Sequence, residues 1–217
     1  MEKNNIWFIA DLHIGHKNIL FHQPNRIIGM NLKDDKDIEG HDSYLINTWI
    51  SQTKEGDHIY VLGDFIMGSQ HFALYVLSRL KSNGCKIFLV VGNHDKGLKG
   101  FEKFFESTDL IKRVIFKKEE FSFLLRDFEV ILSHYPLKSW EGKCRGSMNL
   151  YGHVHDNANW VDEEDDLCLN VGIDGKLTHY RLYSLEEIYA YYLTKLNGLT
   201  PKEYIKEITE KNKFFVR

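Results

Sequence analysis

Ile6-Trp7-Phe8-Ile9-Ala10-Asp11-Leu12-His13 runs from five apolar residues straight into a carboxylate and an imidazole. A short, unbroken apolar run of this kind reads as a strand buried on both faces. The same grammar returns twice. His58-Ile59-Tyr60-Val61-Leu62 leads into Gly63-Asp64, and Lys86 to Val91 leads into Gly92-Asn93-His94-Asp95. Between the runs lie helical patterns. Leu45, Ile46, Trp49 and Ile50 share one face, with Asp42 and Ser43 available as caps, and Ala73, Val76, Leu77 and Leu80 share another, with Gly84 placed to end the helix. The first 95 residues therefore alternate β-α-β-α-β, the pattern of a parallel sheet covered by helices.

Beyond that point the pattern changes. Ile111 to Phe116, Glu120 to Arg126, Glu129 to Leu132, Met148 to Tyr151, Leu167 to Val171 and Tyr180 to Tyr183 read as strands with short connections, a second sheet. Ser184-Leu185-Glu186-Glu187 and Thr200-Pro201-Lys202-Glu203 are capping boxes that open two C-terminal helices over 184–212. The fold class expected is α/β, a two-sheet β-sandwich flanked by helices. One domain over residues 1–217 is expected, because polar blocks of the same type fall in both halves.

Composition bounds the function. With 43% hydrophobic and 27% charged residues the chain is ordinary globular material. A net charge of −3 speaks against a general nucleic-acid coat, which needs basic excess to displace phosphate counterions. The three cysteines, Cys85, Cys144 and Cys168, are widely spaced and suggest no disulfide framework or zinc pattern. No apolar stretch nears the ~20 residues a membrane span needs. A soluble, cytoplasmic protein is expected.

Two more polar blocks follow strands of the second half: Ser133-His134-Tyr135-Pro136 and Gly152-His153-Val154-His155. The five blocks together hold three carboxylates, one carboxamide and five imidazoles, the donor mixture of a metal centre with open positions. In α/β sheets, sites gather at the carboxyl ends of strands, where loops diverge around a crevice. Side chains placed there converge at one edge. A structural zinc site fits poorly, since such sites are closed and rich in Cys.

The ordered set D-x-H, G-D, G-N-H-D, H, G-H-x-H resembles the calcineurin-like metallophosphoesterase superfamily from Asp11 to His155. That resemblance implies a dinuclear site, with one metal held by Asp11, His13, Asp64 and His155 and the second by Asp64, Asn93, His134 and His153. Asp64 bridges in this arrangement. The resemblance further implies hydrolysis of phosphate esters by a metal-bridging hydroxide, with His94 as general acid at the leaving oxygen. Mn is the expected metal, and Fe, Zn, Ni and Co suit the same donors. Asp95 could orient His94, or could accept backbone hydrogen bonds of its own turn.

Departures narrow the substrate. Protein phosphatases of the superfamily carry Gly-Asp-x-x-Asp-Arg-Gly; here the stretch is Gly63-Asp64-Phe65-Ile66-Met67-Gly68, so a protein phosphatase is not expected. Gly15-His16-Lys17-Asn18-Ile19 and His134-Tyr135-Pro136 with Trp140 resemble a smaller bacterial and phage-type subset. His16, His22 and Arg26 on the long first loop could reach substrate, the guanidinium by pairing with phosphate. Trp140 could stack on a base or pack under its loop. The acidic run Asp162-Glu163-Glu164-Asp165-Asp166 would repel an extended polyanion if it flanked the cleft. A phosphorylated small molecule is thus preferred as partner over nucleic acid. A nuclease of the same superfamily and an inactive scaffold are the alternatives.

Overall fold

The computed structural model describes residues 4–157, 167–175 and 179–213. The acidic run lies outside them. Three strands, β1 (Ile6–Ile9), β2 (His58–Val61) and β3 (Lys86–Val90), pair in parallel. The short β4 (Ser107–Asp109) joins β3 at one edge in parallel, and β9 (Tyr183–Ser184) joins β1 antiparallel at the other. The second sheet has the order β5 (Ile111–Phe116), β6 (Phe128–Ser133), β7 (Met148–Tyr151), β8 (Cys168–Asn170). Only the β5–β6 pair is antiparallel; β6, β7 and β8 run parallel. The two sheets thus form the expected sandwich.

Residue alternation explains the layers, because successive side chains of a strand point to opposite faces. Phe8 and Tyr60 turn toward the second sheet, in a core shared with Phe128, Val130, Leu132, Met148 and Leu150. Ile9, Ile59, Val61, Ile87 and Leu89 turn the other way, onto Leu45, Ile46 and Trp49 of α3 (Ile38–Gln52) and Val76, Leu77 and Leu80 of α4 (Gln70–Leu80). The first sheet is apolar on both faces for this reason. Both C-terminal helices have the caps read from sequence: Ser184 and Glu187 on α5 (Leu185–Leu196), and Thr200 and Glu203 on α6 (Pro201–Lys213). Ile188, Tyr189 and Tyr192 of α5 lie in the core with Phe128.

Three expectations are corrected. Residues 120–126 are not a strand. Phe116 pairs directly with Phe128, so the segment between them is the hairpin connection, folded into successive turns with Leu124 buried and Leu125 exposed. In the run Tyr180 to Tyr183 only Tyr183 pairs, since Tyr180 has a left-handed backbone (φ 58°) that no strand accommodates. Finally α3 begins four residues before Asp42, capped by Asp37, whose Oδ1 accepts the Gly40 N–H at 3.1 Å. Asp42 is instead buried, where it accepts the Gly15 N–H at 3.0 Å. The long first loop also holds two short helices, α1 (Ile19–His22) and α2 (Asn25–Gly29).

Candidate metal centre

All five polar blocks meet at the carboxyl edge of the parallel strands. Asp11 follows β1, Asp64 follows β2, Asn93 follows β3, His134 follows β6, and His153 and His155 follow β7. Asp11, His13 and His155 each bring a donor atom within 4.8 Å of the others, and so do Asp64, His134 and His153. Asp64 stands between the groups. Its Oδ2 lies 3.6 Å from His13 Nε2 and its Oδ1 3.5 Å from His134 Nε2. The Asn93 carboxamide oxygen lies 3.0 Å from His134 Nε2, on the second group's side.

The backbone here is unusual. Asp11, His13, Asp64, His153 and His155 all have positive φ, from 51° to 72°. A left-handed conformation costs a non-glycine residue about 1–2 kcal/mol, and such strain clusters where the surrounding structure enforces a functional geometry. Glycine removes the obstacle next door. Gly63 has φ +87°, and a Cβ on it would fall 2.4 Å from His134 Nδ1. A Cβ on Gly152 would fall 2.7 Å from Asp11 Oδ2.

The residues fit cations. Asp11 Oδ1 and both ring nitrogens of His13 are buried without a hydrogen-bond partner. Orphaned buried polar atoms are costly, so several at one point call for a missing partner. The charge states agree. Burial drives the His13 pKa down to about 2, helped by the nearby Arg26 charge, which leaves a neutral ring with one nitrogen lone pair free. Burial, with the Asp64 charge adding to it, pushes the Asp11 carboxyl up to about 6, against the opposing pull of His155 and His134. A cation placed among these carboxylates would offset that repulsion. His134 is fixed by its Nδ1, 2.8 Å from the Leu62 carbonyl oxygen, so Nε2 faces Asp64.

Residues 5–213 match the family described as "Calcineurin-like phosphoesterase". The chain belongs to that family. Among its relatives, the Gene 66 protein of Mycobacterium phage L5 is 27% identical over 86% of this chain and 93% of its own length. The "Uncharacterized protein MJ1445" of Methanocaldococcus jannaschii is 29% identical over 87% and 91%. In fold, the chain is similar to the Aquifex aeolicus protein of unknown function AQ665, with a TM-score of 0.63 at 23% identity, over 87% of this chain and 100% of that one. Two groups of candidate metal ligands on a calcineurin-like phosphoesterase frame point to hydrolase chemistry.

Other sequence expectations divide at this site. His94 sits beside the centre, its ring 5.6 Å from that of His13 and 6.4 Å from that of His16. His16 continues the row outward, 5.7 Å from His13, and His22 ends it at the surface, 5.9 Å from His16. Asp95 makes no hydrogen bond to the His94 ring among the described residues. The Asp95 carboxylate accepts the backbone N–H of Gly92 in its own turn (2.7 Å) and those of Phe65 (2.8 Å) and Asp64 (3.0 Å) in the turn after β2. Burial raises its pKa, and those bonds pull it back. Trp140 packs under its loop, Nε1 donating to the Ser147 carbonyl oxygen at 3.1 Å.

Arg26 is the largest correction. It is fully buried, and all its donors are engaged within the protein: Nε and Nη2 on Asp174, Nη1 on the Leu12 carbonyl oxygen and His41, Nη2 on the Asp11 carbonyl oxygen. It has nothing left to offer a substrate phosphate. Asp174 was missed altogether, although Gly172-Ile173-Asp174 follows β8 much as Gly63-Asp64 follows β2. Its signal was present in the strand-end grammar.

Proposed function

We propose that this calcineurin-like phosphoesterase hydrolyses small phosphate esters with two divalent cations. One observation carries the reading: the Asp64 carboxylate faces both donor groups, an oxygen to each, as a shared ligand must. Asp11, His13 and His155 would hold one cation with Asp64, and Asn93, His134 and His153 the other. Cations bound there supply Lewis acidity toward a phosphoryl oxygen and acidify water at neutral pH.

The chain's own residues do the rest. His94 lies beside the cluster on a strand-end turn and would donate a proton from its ring to the departing oxygen as a water oxygen bonds to phosphorus and the P–O bond to the leaving group breaks. That turn is fixed, because the His94 N–H bonds Asp64 Oδ1 at 2.9 Å. His16 Nδ1 accepts the Asn18 N–H at 3.1 Å, so its proton sits on Nε2, free to bond a phosphoryl oxygen. Burial and the neighbouring charges lower its pKa, which keeps the ring a neutral donor. Next to His153 opens a cleft of about 420 Å³, lined by Tyr135, Pro136, Val154, His155 and Asn157. That size suits the organic body of a small phosphorylated molecule.

Purified protein stripped of metal and reloaded with Mn2+, Zn2+, Fe2+, Ni2+ or Co2+ should hydrolyse an aryl phosphate mono- or diester. His94→Ala should retain metal and lose about 10²–10⁴-fold in kcat. A folded wild-type protein with no turnover on any ester with any of these metals would sink the proposal.

A further inference from the structure

Arg26 and Asp174 form a buried ion pair whose side chains are 0% and 4% exposed. The pair is bidentate, with Nε at 2.7 Å and Nη2 at 2.5 Å from the carboxylate oxygens. Replacing such pairs by apolar residues is often neutral or stabilising, so fold stability alone explains them poorly. The partners of this pair suggest a different reason. Arg26 also holds the carbonyl oxygens of Asp11 (2.7 Å) and Leu12 (3.0 Å), the two peptide groups of the left-handed turn after β1. Through His41 and Asp42 the same network reaches the Gly15 N–H, just past His13. On its other side, Asp174 Oδ2 lies 2.6 Å from His155 Nδ1.

We propose that Asp174, clamped by Arg26, is the positioning residue of one metal site: it holds His155 with the proton on Nδ1 and Nε2 turned toward Asp11 and His13. This rests on the two-metal reading above. A ligating imidazole commonly donates its second N–H to a carboxylate, and loss of that partner weakens metal binding about 10–100-fold. The two sites differ in this respect. His134 is oriented by a main-chain carbonyl that no substitution removes, whereas His155 depends on a side chain. Arg26 acts on the same site twice, by fixing Asp174 and by holding the backbone that presents Asp11. Changes to the pair should therefore weaken the Asp11–His13–His155 position and leave the Asp64–His134–His153 position near its native affinity.

The test uses Mn2+ as probe, with bound ions counted from the free-ion electron paramagnetic resonance signal. Wild-type protein should take two ions per chain. Asp174→Asn, which leaves Arg26 a weaker partner, should lose part of the affinity for one. The double variant Arg26→Met/Asp174→Leu carries no unpaired buried charge and should stay folded. It should bind one ion as wild type does and the other about 10–100-fold more weakly. A folded double variant binding both ions with wild-type affinity overturns the proposal, and a wild-type protein that takes up no Mn2+ overturns the metal reading beneath it. If neither variant folds, the wild-type Zn2+ form decides by nitrogen-15 NMR of the imidazoles. A protonated Nδ1 and a metal-shifted Nε2 on His155 are expected; an unprotonated Nδ1 overturns the assignment.

Discussion

Asp95 Oδ2 accepts the backbone N–H of Asp64 at 3.0 Å across 31 positions of sequence, while its other oxygen takes the N–H of Phe65 at 2.8 Å. The carboxylate beside the candidate acid therefore serves the loop that carries Asp64, the proposed shared ligand. It fastens the turn after β2, which carries Asp64, to the turn after β3, which carries Asn93 and His94.

A first prediction follows from that bond pattern. Asp95→Ala leaves three buried N–H groups unpaired, each worth about 1–3 kcal/mol. Chemical denaturation should show a loss of about 3 kcal/mol or more. The pH–rate profile of whatever fraction folds should keep its shape, because Asp95 does not touch the His94 ring. A displaced acidic or basic limb would restore the orienting role.

Removing metal should lower thermal stability. The left-handed backbone and orphaned polar atoms at Asp11 and His13 cost free energy that cations bound as proposed would offset. At a free concentration of 100 times Kd, each site should contribute about 2.7 kcal/mol. Scanning calorimetry with Mn2+ and then with excess chelator measures the difference. Equal midpoints would argue that no cation binds the native centre.

Gly63→Ala should damage the centre without replacing any proposed ligand. The left-handed backbone alone costs about 1–2 kcal/mol, and the new Cβ falls on His134 Nδ1. His134 must shift and loosen its hold on the Leu62 carbonyl. Metal titration should show weakened binding at the Asp64–His134–His153 position. Gly100→Ala is the control, having positive φ but nothing within 4 Å of the added atom; it should lose a comparable backbone term and keep both metals.

Glu187 predicts an acid-sensitive cap on α5. Burial favours its neutral form, yet the Arg181 guanidinium and the Ser184 hydroxyl and N–H outweigh burial and hold its pKa below the usual glutamate value. A depressed folded-state pKa means that the stabilisation is complete above about pH 4.5 and disappears as pH falls through the lower folded value. Glu187→Gln should thus lower the midpoint at pH 7 more than at pH 3. An equal shift at both would exclude the charged cap as its source.

Much of this protein is legible without coordinates. Apolar runs ending in Asp11, Asp64 and Asn93 specify buried parallel strands and place donors at their ends, because strand direction and sheet packing follow from local pattern. The helix caps at Ser184 and Thr200 are equally local. Where the sequence misled, the deciding partner lay far away. The run 120–126 has strand-like composition, but the neighbouring pairing of Phe116 with Phe128 leaves it no ladder to join. Arg26 looks like a loop cation able to reach substrate until Asp174, 148 residues on, closes over it. Composition cannot distinguish a guanidinium aimed at substrate from one buried against a carboxylate, since the difference is desolvation and its compensation by a partner. The sequence by itself determined the three parallel strands of the first sheet, the caps at Ser184 and Thr200 and the chemical identity of the donors. Tertiary structure alone decided that Asp64 faces both groups, that five donors sit in left-handed backbone, and that Arg26 and Asp95 support the site from behind. Those choices depend on distances between chain segments that no local pattern encodes.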